Sequence, residues 1–132
     1  MYDDFSSDLE HSCARVCDDF RDCPEIFSSI AELFRETYPF DFRDLRAACE
    51  ARDSRKVAFL AHKIRGSILV FHQDGAARAA TELEERAVRG ELVGTDALVE
   101  LLGNAFISTC STVEKVERKF GLEFDDGQVD VI

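Results

Sequence analysis

The sequence predicts an all-α protein, an antiparallel four-helix bundle with additional helices at its N-terminus. Three observations lead there. Apolar residues recur at three- and four-residue intervals over most of the 132 residues, which is the period of one helix face. No segment reads convincingly as a strand, the alternative that a period of two would signal. Short turn signals such as Arg52-Asp53-Ser54, Asp74-Gly75 and Gly90 to Gly94 divide the periodic segments, and short connections favour antiparallel neighbours.

Residues 1–23 read as an acidic amphipathic extension. Phe5, Leu9, Cys13, Val16 and Phe20 share one helix face, and Ser6 or Ser7 is placed to cap its start. A helix this short is marginal alone. It is expected to dock on the main body or on a second copy, giving a monomer or a weak dimer through this helix. The main domain spans 24–120, and 121–132 form an acidic tail with Phe124, Val129 and Ile132 available for local contacts.

Within the domain, Asp22-Cys23-Pro24-Glu25 is a helix start with proline in the first turn. Ile26, Phe27, Ile30, Leu33, Phe34 and Tyr38 give it an apolar stripe, and Pro39 is expected to break or kink it. A separate helix from about Phe40 to Ala51 buries Phe42, Leu45, Ala48 and Cys49. Asp53 or Ser54 caps the next, whose inner face is Val57, Leu60, Ala61, Ile64, Ile68 and Phe71, ending near Asp74-Gly75. Ala76, Ala79, Ala80, Leu83 and Ala87 line a helix to about Arg89. Thr95 is a good N-cap for a last helix from Asp96 to Phe120, with Leu98, Leu101, Leu102, Ala105, Thr109, Val113, Val116 and Phe120 inward and Gly121 as its stop.

The formal charge of −11 argues against nucleic acid and against an anionic membrane as partners. No apolar run approaches the ~20 residues that span a bilayer, and the acidic start lacks a signal-peptide pattern. A cytoplasmic chain with five reduced cysteines is the expectation.

One segment departs from ordinary helix chemistry. In Ala61-His62-Lys63-Ile64-Arg65-Gly66-Ser67 a glycine sits mid-helix, which costs about 1 kcal/mol relative to alanine. On a helical wheel His62 falls outside the apolar stripe. The residue one turn later covers the surface beside a helical side chain, and here that residue is Gly66, while Ala58 one turn earlier is also small. The imidazole is therefore expected to be open to a bulky reactant. A neutral imidazole is a nucleophile near neutral pH. Lys63 and Arg65 supply positive charge for a phosphoryl group, and Ser67 can add a hydrogen bond or bond back to its own helix. Phe59 at i−3 and Leu69 at i+7 frame an apolar landing surface.

His62-Lys63-Ile64-Arg65-Gly66-Ser67 resembles the signature of histidine-containing phosphotransfer (HPt) domains: His, any residue, an aliphatic, Lys or Arg, Gly, then Ser or Ala. Phe34-Arg35-Glu36-Thr37-Tyr38-Pro39, Ala61, Leu83-Glu84-Glu85 and Arg89-Gly90 also sit where the family has similar residues, so the resemblance covers roughly Pro24 to Phe120. It implies a four-helix bundle in which His62 receives a phosphoryl group from one receiver-domain aspartate and hands it to another. The implied partners are receiver domains of response regulators and a hybrid sensor kinase. The resemblance implies no ATP use and no cofactor, with Mg²⁺ held only by the receiver. Arg65 matches the family's basic position, and Lys63 is an additional cation. Many members have a glycine ten residues after the histidine, where this chain has His72. That residue is expected either to tune the docking surface or to be a helix-end surface residue.

Other candidates are weaker. His11, Cys13, Cys17 and Cys23 are metal-ligand types without zinc-site spacing, and no metal site is expected. Asp3-Asp4, Asp18-Asp19 and Asp125-Asp126 read as solvated surface. Arg78, Arg86 and Arg89 read as surface charges, with Arg78 or Arg86 able to reach the phosphate if its face turns that way. The sequence starts at Met1, and its length leaves no room for a kinase segment or a receiver domain beside the bundle, which favours a free-standing shuttle over a piece cut from a larger kinase. The competing readings are a helical interaction or adaptor module with an inert His62, and a metalloprotein built on the N-terminal cysteines.

Overall fold

The computed structural model describes residues 3–121, with side chains from residue 9 onward. Five helices follow in order: α1 (Asp3–Phe20), α2 (Pro24–Glu50), α3 (Ser54–Leu69), α4 (Asp74–Val88) and α5 (Asp96–Phe120). There is no strand among the described residues. Helices α2 to α5 form the bundle, each packing on the next and α5 closing back on α2. Helix α1 lies across α5 and touches α2. The expected contacts of Phe5 and of the tail beyond residue 121 fall outside the described residues.

One helix, α2, replaces the two expected around Pro39. An interior proline removes the bond to the carbonyl four residues back and disfavours a helix by about 3 kcal/mol. Tertiary packing outweighs that. Phe27, Ala31, Phe34, Tyr38, Asp41, Leu45 and Ala48 are buried in an unbroken three–four rhythm straight through the proline, which itself is exposed. Next to it, the Tyr38 hydroxyl donates to Leu102 O on α5 at 2.7 Å. Phe106 of α5 stacks against both Phe34 and Tyr38. Two residues expected in this stripe are on the outside: Ile26 is 53% exposed and Leu33 59%. Leu101 of α5 is exposed as well. The rest of the expected α5 stripe faces inward, fully or in part.

The apolar face of α1 is used within the chain. Cys13 and Val16 are buried, and the Phe20 ring meets Phe27 edge-on. The helix begins at Asp3, so Ser6 and Ser7 lie inside it rather than at its cap.

The turn after α3 comes earlier than expected, and its geometry explains why. Helix α3 is capped at its start by Asp53, whose carboxylate accepts from Lys56 N at 3.2 Å. At its end Gln73 N donates to Ile68 O and His72 N to Leu69 O. That pair of bonds is the Schellman closure, which needs a left-handed residue, usually glycine. His72 occupies it with φ 56°. Phe71 is buried beyond the last regular turn. The turn from α4 to α5 closes the same way at Gly90, where Glu91 N reaches Arg86 O. Thr95 is at the N-cap of α5, but its hydroxyl donates backward to Leu92 O at 2.8 Å and caps no amide.

Candidate functional site

His62 projects from the middle of α3, on the flank shared with α4. Its buried neighbours Ala61 and Ile64 point into the bundle, so the helical period carries residue 62 outward. The imidazole is 61% exposed. It borders a shallow hollow between α3 and α4 lined by His62, Arg65, Thr81, Glu84, Glu85, Val88 and Arg89.

Two groups meet the ring at one atom. Arg65 Nη2 lies 3.0 Å from Nδ1, and the Glu84 carboxylate lies 3.3 Å from that same nitrogen. Nε2 makes no hydrogen bond among the described residues, and it is the ring atom left for a reactant. Arg65 is positioned in turn by α4: its Nη1 donates to Thr81 Oγ1 at 3.4 Å, and the Thr81 hydroxyl donates to Ala77 O at 3.1 Å. Arg65 and Glu84 approach each other to 3.9 Å.

The other expected phosphate-binding residues have different partners. Lys63 Nζ donates to the buried Asp41 carboxylate at 3.2 Å, which ties it to α2. Ser67 Oγ donates to Lys63 O at 3.3 Å, the back-bond to its own helix. Of the cations beside the histidine in sequence, only Arg65 shares a contact with its ring.

Around His62 the surface is open, and exposed apolar residues flank its polar and charged groups. A Cβ added at Gly66 would meet nothing within 4 Å, so nothing packed inside the chain requires glycine there. Ala58 is half-buried against the core. Phe59 is 66% exposed and Leu69 also faces solvent on α3. From α4, Val88, 73% exposed, adds a third apolar residue on the rim of the hollow. His72 does not join this surface: its Nε2 lies 2.6 Å from Asp19 of α1, and its carbonyl accepts from Ser12 Oγ at 2.9 Å.

The residues of the hollow that lie outside the motif come from α4 and its C-cap, Arg89. In the sequence Glu84 stands out only through the family resemblance, Thr81 and Val88 carry no signal, and Arg89 resembles any surface charge. Arg86, expected as a possible phosphate ligand, instead donates to the carbonyls of Val93 and Gly94 and braces the α4–α5 loop. The hairpin register accounts for this. The contacts 62 to 84 and 65 to 81 are symmetric about position 73. A turn centred at 74–75 shifts the partner of His62 toward Arg86, whereas the true turn brings Glu84 opposite.

The N-terminal metal-ligand types are dispersed in burial, with His11 exposed, Cys13 buried, and Cys17 and Cys23 half-buried. Among the described residues no group of three or more His, Cys, Asp or Glu is placed to hold a metal ion. Burial, and for Cys17 also the neighbouring Cys13, pushes the Cys17, Cys49 and Cys110 thiols above their ordinary range. That makes them poor nucleophiles. No described helix is long and apolar enough to cross a membrane.

The family model of the Hpt domain matches residues 29–115. No curated protein and no solved structure matches the chain. The matched segment runs from the first third of α2 into α5 and includes the whole His62 hollow, while α1 precedes it. Hpt domains are phosphocarriers of His–Asp phosphorelays rather than kinases, and they work with receiver domains and kinases. With more than half of its length matched, and a bundle that carries an exposed histidine beside an arginine one turn away, this chain belongs to the Hpt domain family.

Proposed function

We propose that the chain is a phosphotransfer protein of a multistep His–Asp phosphorelay, in which His62 accepts a phosphoryl group from one receiver-domain aspartate and passes it to another. The observation that carries this reading is the state of the ring. His62 is mostly exposed, its Nδ1 meets both Arg65 and Glu84, and its Nε2 has no hydrogen-bond partner among the described residues. Attack uses the Nε2 lone pair, so the ring proton must then reside on Nδ1. The charge that develops on the phosphoryl oxygens is met by Arg65. Phe59 and Leu69 on α3 and Val88 on α4 are the exposed apolar residues on which a receiver would seat, and Gly66 leaves clearance for it. The partners on this reading are response-regulator receiver domains and a hybrid sensor kinase, and the exchange takes place in the cytoplasm. The Mg²⁺ of each exchange belongs to the receiver, and the chain itself needs neither ATP nor a cofactor.

The test is direct. The protein is incubated with a receiver domain carrying labelled aspartyl phosphate, and the product is examined for acid-labile, base-stable label. Wild type takes it up and His62→Gln does not. If no cognate receiver transfers label, or if His62→Gln is labelled equally, the carrier reading fails and an adaptor with an inert histidine takes its place.

A further inference from the structure

We infer that Arg65 and Glu84 compete for Nδ1 of His62, and that the winner decides whether Nε2 can act as a nucleophile. The premise is geometric, and the consequence for transfer rests on the carrier reading above. A neutral imidazole has one N–H. Arg65 Nη2, 3.0 Å from Nδ1, is a donor and never an acceptor. Its contact is a hydrogen bond only when Nδ1 offers a lone pair, which puts the ring proton on Nε2. The ionised Glu84 carboxylate, 3.3 Å from Nδ1, only accepts. Its contact is a hydrogen bond only when Nδ1 carries the proton. The two bonds exclude each other in the neutral ring. Held by Arg65, the ring has N–H at Nε2 and no lone pair there for attack. Held by Glu84, it has an open Nε2 lone pair.

The surroundings allow the exchange. Glu84 is itself 3.9 Å from Arg65, and Thr81 holds the other guanidinium nitrogen, so Arg65 can leave Nδ1 without leaving the site. An incoming phosphoryl group brings anionic oxygens to the Nε2 side and attracts the guanidinium. Arg65 moving onto those oxygens frees Nδ1 for a proton from solvent and for Glu84, as the Nε2 proton is lost to solvent. While Arg65 holds Nδ1 the ring is guarded, and the arriving group selects the reactive tautomer. In the transfer the Nε2 lone pair forms the N–P bond. The P–O bond to the receiver's aspartate breaks, and the carboxylate leaves with its electron pair. Nδ1 keeps its proton, donated in a hydrogen bond to Glu84, throughout, so the ring departs as neutral imidazole in the return step. Glu84 acts here as a positioning residue for the ring proton.

The experiment records the tautomer of His62 by ¹⁵N NMR in the full chain labelled at histidine, well above the ordinary histidine titration range so that the ring is neutral. The signal is assigned by its loss in His62→Gln. Hydrogen bonds to charged groups are strong enough that Arg65→Ala should move the ratio toward Nδ1–H by about tenfold, and Glu84→Ala toward Nε2–H by a similar factor. A ratio unchanged in either variant, or shifts in the same direction in both, overturns the competition. Label uptake from a phosphorylated receiver is measured on the same samples. Opposed tautomer shifts without any wild-type labelling would remove the carrier reading and leave the competition standing. Normal labelling with immobile ratios would do the reverse.

Discussion

The Lys63 ammonium and the Asp41 carboxylate are paired at 3.2 Å across α2 and α3. The cation adjacent to the histidine in sequence is thereby a strut between helices, while the cation three residues away reaches the ring. The carboxylate is almost fully buried and the ammonium half exposed. Removing the lysine strands a buried charge, although solvent reaches the site from the lysine side. Lys63→Ala should therefore lower stability by about 1–2 kcal/mol. Label uptake from a receiver should change by less than about threefold, against about tenfold or more for Arg65→Ala. Urea denaturation and transfer kinetics on the two variants separate these roles.

Gly66 gives a pair of opposed outcomes. Alanine there finds open space and a better helix former, so Gly66→Ala should raise stability by about 1 kcal/mol. Gly66→Leu should fold as well, yet obstruct a receiver approaching His62. Transfer from a receiver should fall by about tenfold or more for one misplaced contact, while a small phosphodonor such as phosphoramidate still labels the ring. Equal labelling by both donors in Gly66→Leu would remove the clearance argument.

His72 occupies a left-handed position at φ 56° and holds Asp19 of α1. His72→Gly relieves the backbone but loses the Asp19 contact, and should alter stability by no more than about 1 kcal/mol. His72→Val places a β-branched side chain in that conformation and should be less stable than His72→Gly by about 1–2 kcal/mol. Both should speed amide hydrogen exchange in α1, because each removes the Asp19 contact. Unchanged exchange there would show that the pair does not hold the helix.

Alkaline stability follows from buried acids. Burial foremost, and then the Asp41 charge, pushes the Tyr38 phenol well above its ordinary 10.0. Burial also raises the Cys17, Cys49 and Cys110 thiols from 9.0. A raised acid holds its proton in the folded state after the unfolded chain has lost it. Its contribution is complete below the unfolded value and is lost as pH climbs toward the folded one. Stability should hold up to about pH 9 as far as these groups are concerned, then fall, with a steeper loss above about pH 10. Tyr38→Phe should be about 1 kcal/mol less stable at neutral pH for want of the bond to Leu102 O. It should also show a shallower loss above pH 10. Denaturation midpoints measured from pH 7 to 11 check both.

Sequence periodicity by itself determined the all-α class, the inward faces of α3 and α4, and the exposed place of His62. Val57, Leu60, Ala61, Ile64 and Ile68 are buried as their spacing requires, because a helix face is a property of local geometry. The signature hexapeptide is also local, and it pointed to the right family. Tertiary packing alone decided the rest. Pro39 stays inside α2 because the core on both sides of it outweighs one lost backbone bond. Ile26 and Leu33 stay outside because an apolar residue is buried only where another element comes to cover it. Lys63 faces Asp41, and His62 faces Glu84, because the register of each helical hairpin is set where its turn closes. A difference of one to two residues in the centre of that turn, fixed by a left-handed His72, exchanges one partner from α4 for another.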